Sequence, residues 1–214
     1  MRVVVSLILA AACGSGPTIP PRDTASFDAY ELLVVEAETG RIEVVAGDVD
    51  TIEVEVLPGD TNDTWSSSED GDTLTLIAEC SGGEPGCGVG FVVTVPAGTH
   101  LDLSAVNGEI AVVDALTGDI AIQTTSGPII GVDLGAAALD VLTNAVVDVS
   151  FDERPRDVSL DGGAGDLTLA VPAGSYDVQF AGSGDSELSD DIVDDDTSER
   201  LYLQSSAQMT IEAS

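Results

Sequence analysis

The chain has 214 residues and carries 39 acidic side chains against 6 basic ones, a net charge of −33. That length supports one full domain with its own core. A surface so negative repels phosphate backbones and anionic headgroups, which excludes nucleic acid as a partner.

All six basic residues are arginine (Arg2, Arg22, Arg41, Arg154, Arg156 and Arg200), and the sequence has a single histidine, His100. The hydrophobic fraction comes from Ala, Val, Leu and Ile, with few aromatics; the 23 glycines suit many tight turns. The plain reading of the acidity is a solvated, aggregation-resistant surface. The sharper reading is a surface that collects Ca²⁺, which takes oxygen ligands, or a basic partner.

Residues 1–12, MRVVVSLILAAA, place one positive charge before an apolar run too short to span a bilayer, which needs roughly 20 residues. This is the pattern of a signal peptide. The run ends at Ala11-Ala12-Cys13-Gly14, which resembles the lipobox of bacterial lipoproteins, although Leu9 stands one place earlier than the usual leucine. The resemblance implies that Cys13 is lipidated, becomes the mature N-terminus and anchors the protein to a membrane. An ordinary signal peptide, cut after a small residue, is the alternative. Gly14 in place of Asp implies, by the same resemblance, the outer membrane or cell surface if the cell is Gram-negative. Residues 13–28, which continue GSGPTIPPRDTAS, read as a flexible tether. Residues 29–214 read as one β-strand-repeat domain.

From Tyr30 onward the ordered segments alternate with period two: Ile42 to Val45, Ile52 to Val56, Leu74 to Ile77, Phe91 to Val95, Leu101 to Leu103, Ile120 to Ile122, Leu167 to Val171 and Tyr176 to Phe180. Gly, Asn, Asp and Pro separate them, so each reads as a short strand. Cys80 and Cys87 flank the loop CSGGEPGC. In an oxidising compartment they can pair as a disulfide, which would contribute roughly 2–3 kcal/mol by chain-entropy reasoning. A zinc site is disfavoured because the other two ligands are missing.

A short phrase recurs: Gly40-Arg41-Ile42, Gly108-Glu109-Ile110, Gly118-Asp119-Ile120, Gly127-Pro128-Ile129 and Gly165-Asp166-Leu167. Turn marks at Asn107, Ser126, Asn144, Ala164 and Gly184 recur at about twenty residues, and VPAG occurs at Val95 to Gly98 and at Val171 to Gly174. Short strands at such a period predict a β-solenoid, an all-β stack in which no repeat buries its apolar face alone. A β-sandwich is the alternative, because alternation alone does not separate the two. Residues 57–73 and 182–200 read as acidic loops outside the stack. Tyr30 to Val56 and Leu201 to Ile211 are the candidate caps. Trp65 is either an exposed contact residue or a plug over the end of the stack.

The VPAG phrase, the Gly-Asp/Glu-Ile turns and the unbroken series of short strands resemble the bacterial β-strand-repeat family called "putative adhesin", a domain of unknown function. The resemblance covers roughly Tyr30 to Ile211. It implies a β-solenoid-like fold, an envelope location and no established catalytic residues, so no family site is carried over.

His100, Asp102 and Ser104 suggest a catalytic triad by residue type. Alternate strand residues stand about 6.8 Å apart, too far for the hydrogen bonds of a triad. The expectation is a polar outer face, with no catalytic residues. Asp60, Asn62 and Asp63, or Asp190 and Asp191, offer oxygen ligands for Ca²⁺, but neither stretch has the spacing of an EF-hand or a calcium β-roll. Apart from such Ca²⁺, no cofactor is expected.

The resulting expectation is a non-enzymatic, membrane-anchored envelope lipoprotein, acting as a structural or adhesin-like surface module toward an envelope or surface protein. The first alternative is a module that binds Ca²⁺ or a basic partner. The second is a β-helix enzyme acting on polysaccharides, with Arg154 and Arg156 touching a sugar acid. The calcium alternative predicts a rise in melting temperature in millimolar Ca²⁺ over Na⁺ of matched ionic strength. That rise is lost when Asp60 and Asp63, or Asp190 and Asp191, are changed to Asn; equal melts in both salts count against it.

Overall fold

The computed structural model describes residues 23–59, 64–79, 88–135, 138–195 and 199–214. Cys13, Asp60, Asn62, Asp63, Cys80 and Cys87 lie outside the described residues, and with them the expected export segment, lipidation and disulfide.

The chain opens with β1 (Asp23–Asp28), β2 (Leu32–Ala37), β3 (Ile42–Gly47), β4 (Thr51–Leu57) and β5 (Thr64–Asp70). It continues through β6 (Thr73–Glu79), β7 (Gly90–Pro96), β8 (His100–Ala105), β9 (Ile110–Val113) and β10 (Ile120–Thr124). Next come β11 (Ile129–Leu134), β12 (Ala138–Leu142), β13 (Val147–Phe151), β14 (Asp157–Gly163) and β15 (Leu167–Val171). It closes with β16 (Gly174–Ala181), β17 (Ser186–Leu188), β18 (Ile192–Asp194), β19 (Arg200–Ser205) and β20 (Met209–Ala213). No helix occurs among the described residues, so none there is long and apolar enough to cross a membrane.

The strands form two ten-stranded sheets. The first runs β1-β4-β7-β3-β9-β11-β13-β15-β20-β17 and the second β18-β16-β19-β14-β12-β10-β8-β2-β6-β5. From β8 to β15, consecutive strands fall in alternate sheets, and each pairs in parallel with the strand two further along the chain. Parallel neighbours need a crossover. Here each strand of one sheet is the crossover of the other.

The registers carry the repeat seen in the sequence. Leu101, Ile120, Leu139 and Val158 stand in one row of the second sheet, 19 residues apart at each step. Opposite them stand Ile110, Ile129, Val147 and Leu167 in the first sheet. All eight are buried, in a continuous core between the sheets. Burying each such side chain stabilises the fold by about 1.5–3 kcal/mol. Alternate residues along β10 are exposed and buried in turn, which is the pleat expressed as sequence.

The all-β expectation holds. In its layers the body fits the two-sheet alternative, the sandwich, better than a stack walled on all sides; the repeat survives as parallel pairing along each sheet.

Four expectations need correction. Residues 23–28, read as tether, form β1 and pair antiparallel with β4. The loop read over 57–73 contains β5, whose hairpin with β6 turns at Gly71 with φ of +59°. The loop read over 182–200 contains β17 and β18.

The proposed caps are interior strands: β2 lies between β6 and β8, β3 between β7 and β9, β19 between β14 and β16, and β20 between β15 and β17. The reason is burial. Leu33, Val35, Leu201, Leu203, Met209 and Ile211 point into the core and complete its rows, which an end strand could not do. The ends are closed instead by short or polar strands, among them β5, whose outer residues are Ser, Glu and Asp. Such strands discourage further pairing. Trp65 on β5 lies edge-on to Phe91 of β7, with ring centroids 6.3 Å apart, and so plugs the end between the sheets.

The recurring Gly has a steric cause. A Cβ on Gly127 would lie 1.7 Å from the carbonyl oxygen of Gly108, and one on Gly108 would lie 2.0 Å from that of Gly40. Adjacent turns therefore touch backbone to backbone. Nearby hydroxyls satisfy the turns' amides: the buried Thr124 accepts from the Gly127 N–H at 3.2 Å, and Ser205 accepts from the Ala207 N–H at 2.9 Å. Gly98, by contrast, has nothing within 4 Å of an added Cβ. Gly127→Ala is expected to destabilise the fold by about 2–3 kcal/mol, in the range of overpacking, while Gly98→Ala leaves it nearly unchanged. Urea unfolding of the two variants measures the difference.

Candidate functional site

The outward residues of the second sheet form rows as regular as the core's. The pairings place Asp102, Ala121, Asp140 and Ser159 side by side on β8, β10, β12 and β14. A second row, at the starts of these strands, runs from His100 past Asp119 to Ala138, Asp157 and Arg200. Two alanines thus sit among longer side chains. The result is a groove of about 540 Å³ across the sheet face, bordered by His100, Asp102, Asp119, Asp140, Asp157 and Arg200. That volume falls within the range of small-ligand sites.

The charges around it are unevenly paired. Arg200 holds Asp157 bidentately, Nη2 to Oδ2 at 2.7 Å and Nε to Oδ1 at 3.1 Å. The hydrogen bond from Asp157, and then its charge, raises the Arg200 pKa further. Arg156 places Nη2 4.0 Å from Asp119 Oδ1. His100 Nδ1 accepts the Asp119 backbone N–H at 3.1 Å, which leaves the imidazole proton on Nε2. The Asp119 carboxylate, 4.0 Å from that same nitrogen, is too far for a hydrogen bond. Asp102 and Asp140 are exposed and form no ion pair among the described residues. The groove therefore has one edge where arginines offset the acids and another where carboxylates stand alone.

The structure separates the other residues singled out in the sequence. His100, Asp102 and Ser104 line one outward face of β8 while Leu101 and Leu103 are buried, as expected of a polar face. Arg154 is occupied in packing: its guanidinium lies 4.7 Å from the Tyr176 ring centroid and donates to the Ser175 carbonyl. Asp190 and Asp191 are exposed in the turn between β17 and β18, where the Asp191 carbonyl accepts the Gly174 N–H. Among the described residues, no three His, Cys, Asp or Glu side chains converge as a metal site.

Sequence reasoning missed the groove. Its signal is there, since Asp102, Ala121 and Asp140 recur 19 residues apart. The signal has meaning only once the strand register is known.

No protein-family model and no curated protein matches the chain. Solved structures do. A putative cell adhesion protein from Clostridium sporogenes superposes with a TM-score of 0.53 at 8% identity, over 91% of this chain and 100% of that one. A putative adhesin from Bacteroides fragilis gives 0.41 at 15% identity, over 91% and 98%, and a putative adhesin from Parabacteroides distasonis 0.35 at 13%, over 91% and 96%. At such identities the likeness is one of fold, and the Clostridium protein carries it.

Proposed function

We propose that the protein is a non-enzymatic module of the cell envelope, held by a lipid on Cys13 and displaying an acidic two-sheet body as an adhesive surface. The observation that carries this reading is the register of the second sheet, which sets Asp102 and Asp140, and Asp119 and Asp157, in two rows across its outer face. Side chains so placed act together on an opposing surface, and a net charge of −33 gives that surface a sign preference for basic partners. The fold shared with the Clostridium protein, whose name assigns it to cell adhesion, supports the same reading. In finer detail, the chain is wound as a flattened solenoid, one strand per sheet in each turn, and the residues between Cys13 and β1 space it from the membrane. Catalysis on acidic polysaccharide is disfavoured, because Arg154 is engaged on Tyr176 and the surface repels polyanions.

Fractionation of cells expressing wild type or Cys13→Ser tests the anchor. Wild type is expected in the membrane fraction and the variant in the soluble one; a Cys13→Ser protein that stays membrane-bound overturns it. Adhesion is read separately, as retention of displaying cells on amine-coated against carboxylate-coated beads. Retention on the amine beads alone, falling as salt rises, is the expected result; equal retention on both counts against an electrostatic surface.

A further inference from the structure

We propose that the groove on the second sheet receives two cationic side chains, at alternate positions of an extended segment of a partner protein. This deepens the adhesive reading by naming the partner's chemistry, and it stands or falls independently of the Cys13 anchor.

The argument is one of spacing. Neighbouring strands lie about 4.8 Å apart, and alternate residues along one strand about 6.8 Å apart. Ala121 therefore has Asp102 and Asp140 on either side, with Asp119 two residues earlier on its own chain segment. Ala138 stands between Asp119 and Asp157, with Asp140 two residues later. Each alanine is the floor of a depression ringed by three carboxylates. The two depressions are offset by one strand and by two residues, a separation of about 8 Å.

The arrangement of each ring selects the cation. Calcium needs several oxygens at about 2.3–2.6 Å, and among the described residues no three carboxylates converge as a metal site, so the rings suit the larger ammonium or guanidinium group instead. In an extended peptide, residues i and i+2 project to the same side about 6.8 Å apart. The flexible stems of Lys or Arg span what remains of the offset.

The length of the groove selects a peptide. From β8 to β19 it crosses five strands, about 19 Å between the outer two. A free diamine would fill less than half of that span, whereas five or six extended residues fill it. The two depressions are not equal: Asp102 and Asp140, beside Ala121, have no arginine, while Asp157 and Asp119 are already engaged by Arg200 and Arg156. The side chain seated over Ala121 carries most of the selectivity.

The test uses the full chain in neutral detergent and two labelled peptides of one composition, GSKSKSG and GSSKKSG, titrated by fluorescence anisotropy at low salt. The alternating peptide is expected to bind at least fivefold more tightly than the adjacent one. Asp102→Asn with Asp140→Asn is expected to weaken it at least tenfold, and Asp148→Asn with Glu212→Gln, on the opposite sheet, by less than twofold. Ala121→Leu fills a depression without changing the charge, and is expected to weaken binding at least fivefold even if the double Asp variant does not fold. The proposal is overturned if the two peptides bind alike, if both charge-neutral pairs weaken binding equally, or if Ala121→Leu binds as wild type; binding then reports the overall field of the acidic surface. Displacement by spermidine with an affinity equal to that of the alternating peptide also overturns it, in favour of a small polyamine.

Discussion

Everything in this molecule depends on how closely successive turns approach. Parallel pairing holds neighbouring strands about 4.8 Å apart, and the turns that join them keep the same spacing. At Gly40, Gly108 and Gly127 that leaves the carbonyl of one turn where a Cβ of the next would be. The glycines are thus a consequence of translation. A strand row can be in register only if the turns beside it are too, and at these three positions the register leaves no room for a side chain. The buried hydroxyls of Thr124 and Ser205 serve the same end, by satisfying amides that stacked turns hide from water.

The same translation builds the core and the groove. A step of 18 to 20 residues brings Leu101, Ile120, Leu139 and Val158 together inside, and it brings Asp102, Ala121 and Asp140 together outside. Inside, like beside like makes a dry core. Outside, like charges side by side repel, and the face tolerates them because they are solvated and because alanines and arginines interrupt the rows. The groove lies where those interruptions fall. Its two edges differ because arginine is scarce: of the four in the described residues, Arg156 and Arg200 both stand at one edge of it.

Much of this was legible in the sequence and some was not, for reasons that can be named. Strand alternation and the Gly-x-Ile phrase are local, and they mark β8, β10 and β15, the starts of β9 and β11, and the step between turns. Leu101 and Leu103 inward, His100 and Asp102 outward, follows from the pleat alone. The positions of β2, β3, β19 and β20 do not. Their apolar alternation makes them strands, but nothing local says that they slot between strands from other parts of the chain. The serine-rich, acidic composition of β5 suggests a loop, yet an edge strand is where such a composition belongs. The groove needed the register: Ala121 and Ala138 are ordinary alanines until Asp102, Asp119, Asp140 and Asp157 are known to be their neighbours.

The placement of β19 and β20 sets an order of events. β16, β17 and β18 are synthesised earlier, yet β16 pairs with β19, and β17 with β20. Until residues 199–214 arrive, β16 has no partner on its inner side except the place they will take. A chain that folds from its N-terminus as it emerges can assemble the turns from β8 to β15 one after another, but it cannot close its far end in that way. The final step is a wedge driven between two parts already present, and it depends on contacts distant in sequence, which form slowly. The finished body is therefore gated by delivery of its last pair of strands, and a molecule stalled short of them exposes an open sheet edge to its neighbours.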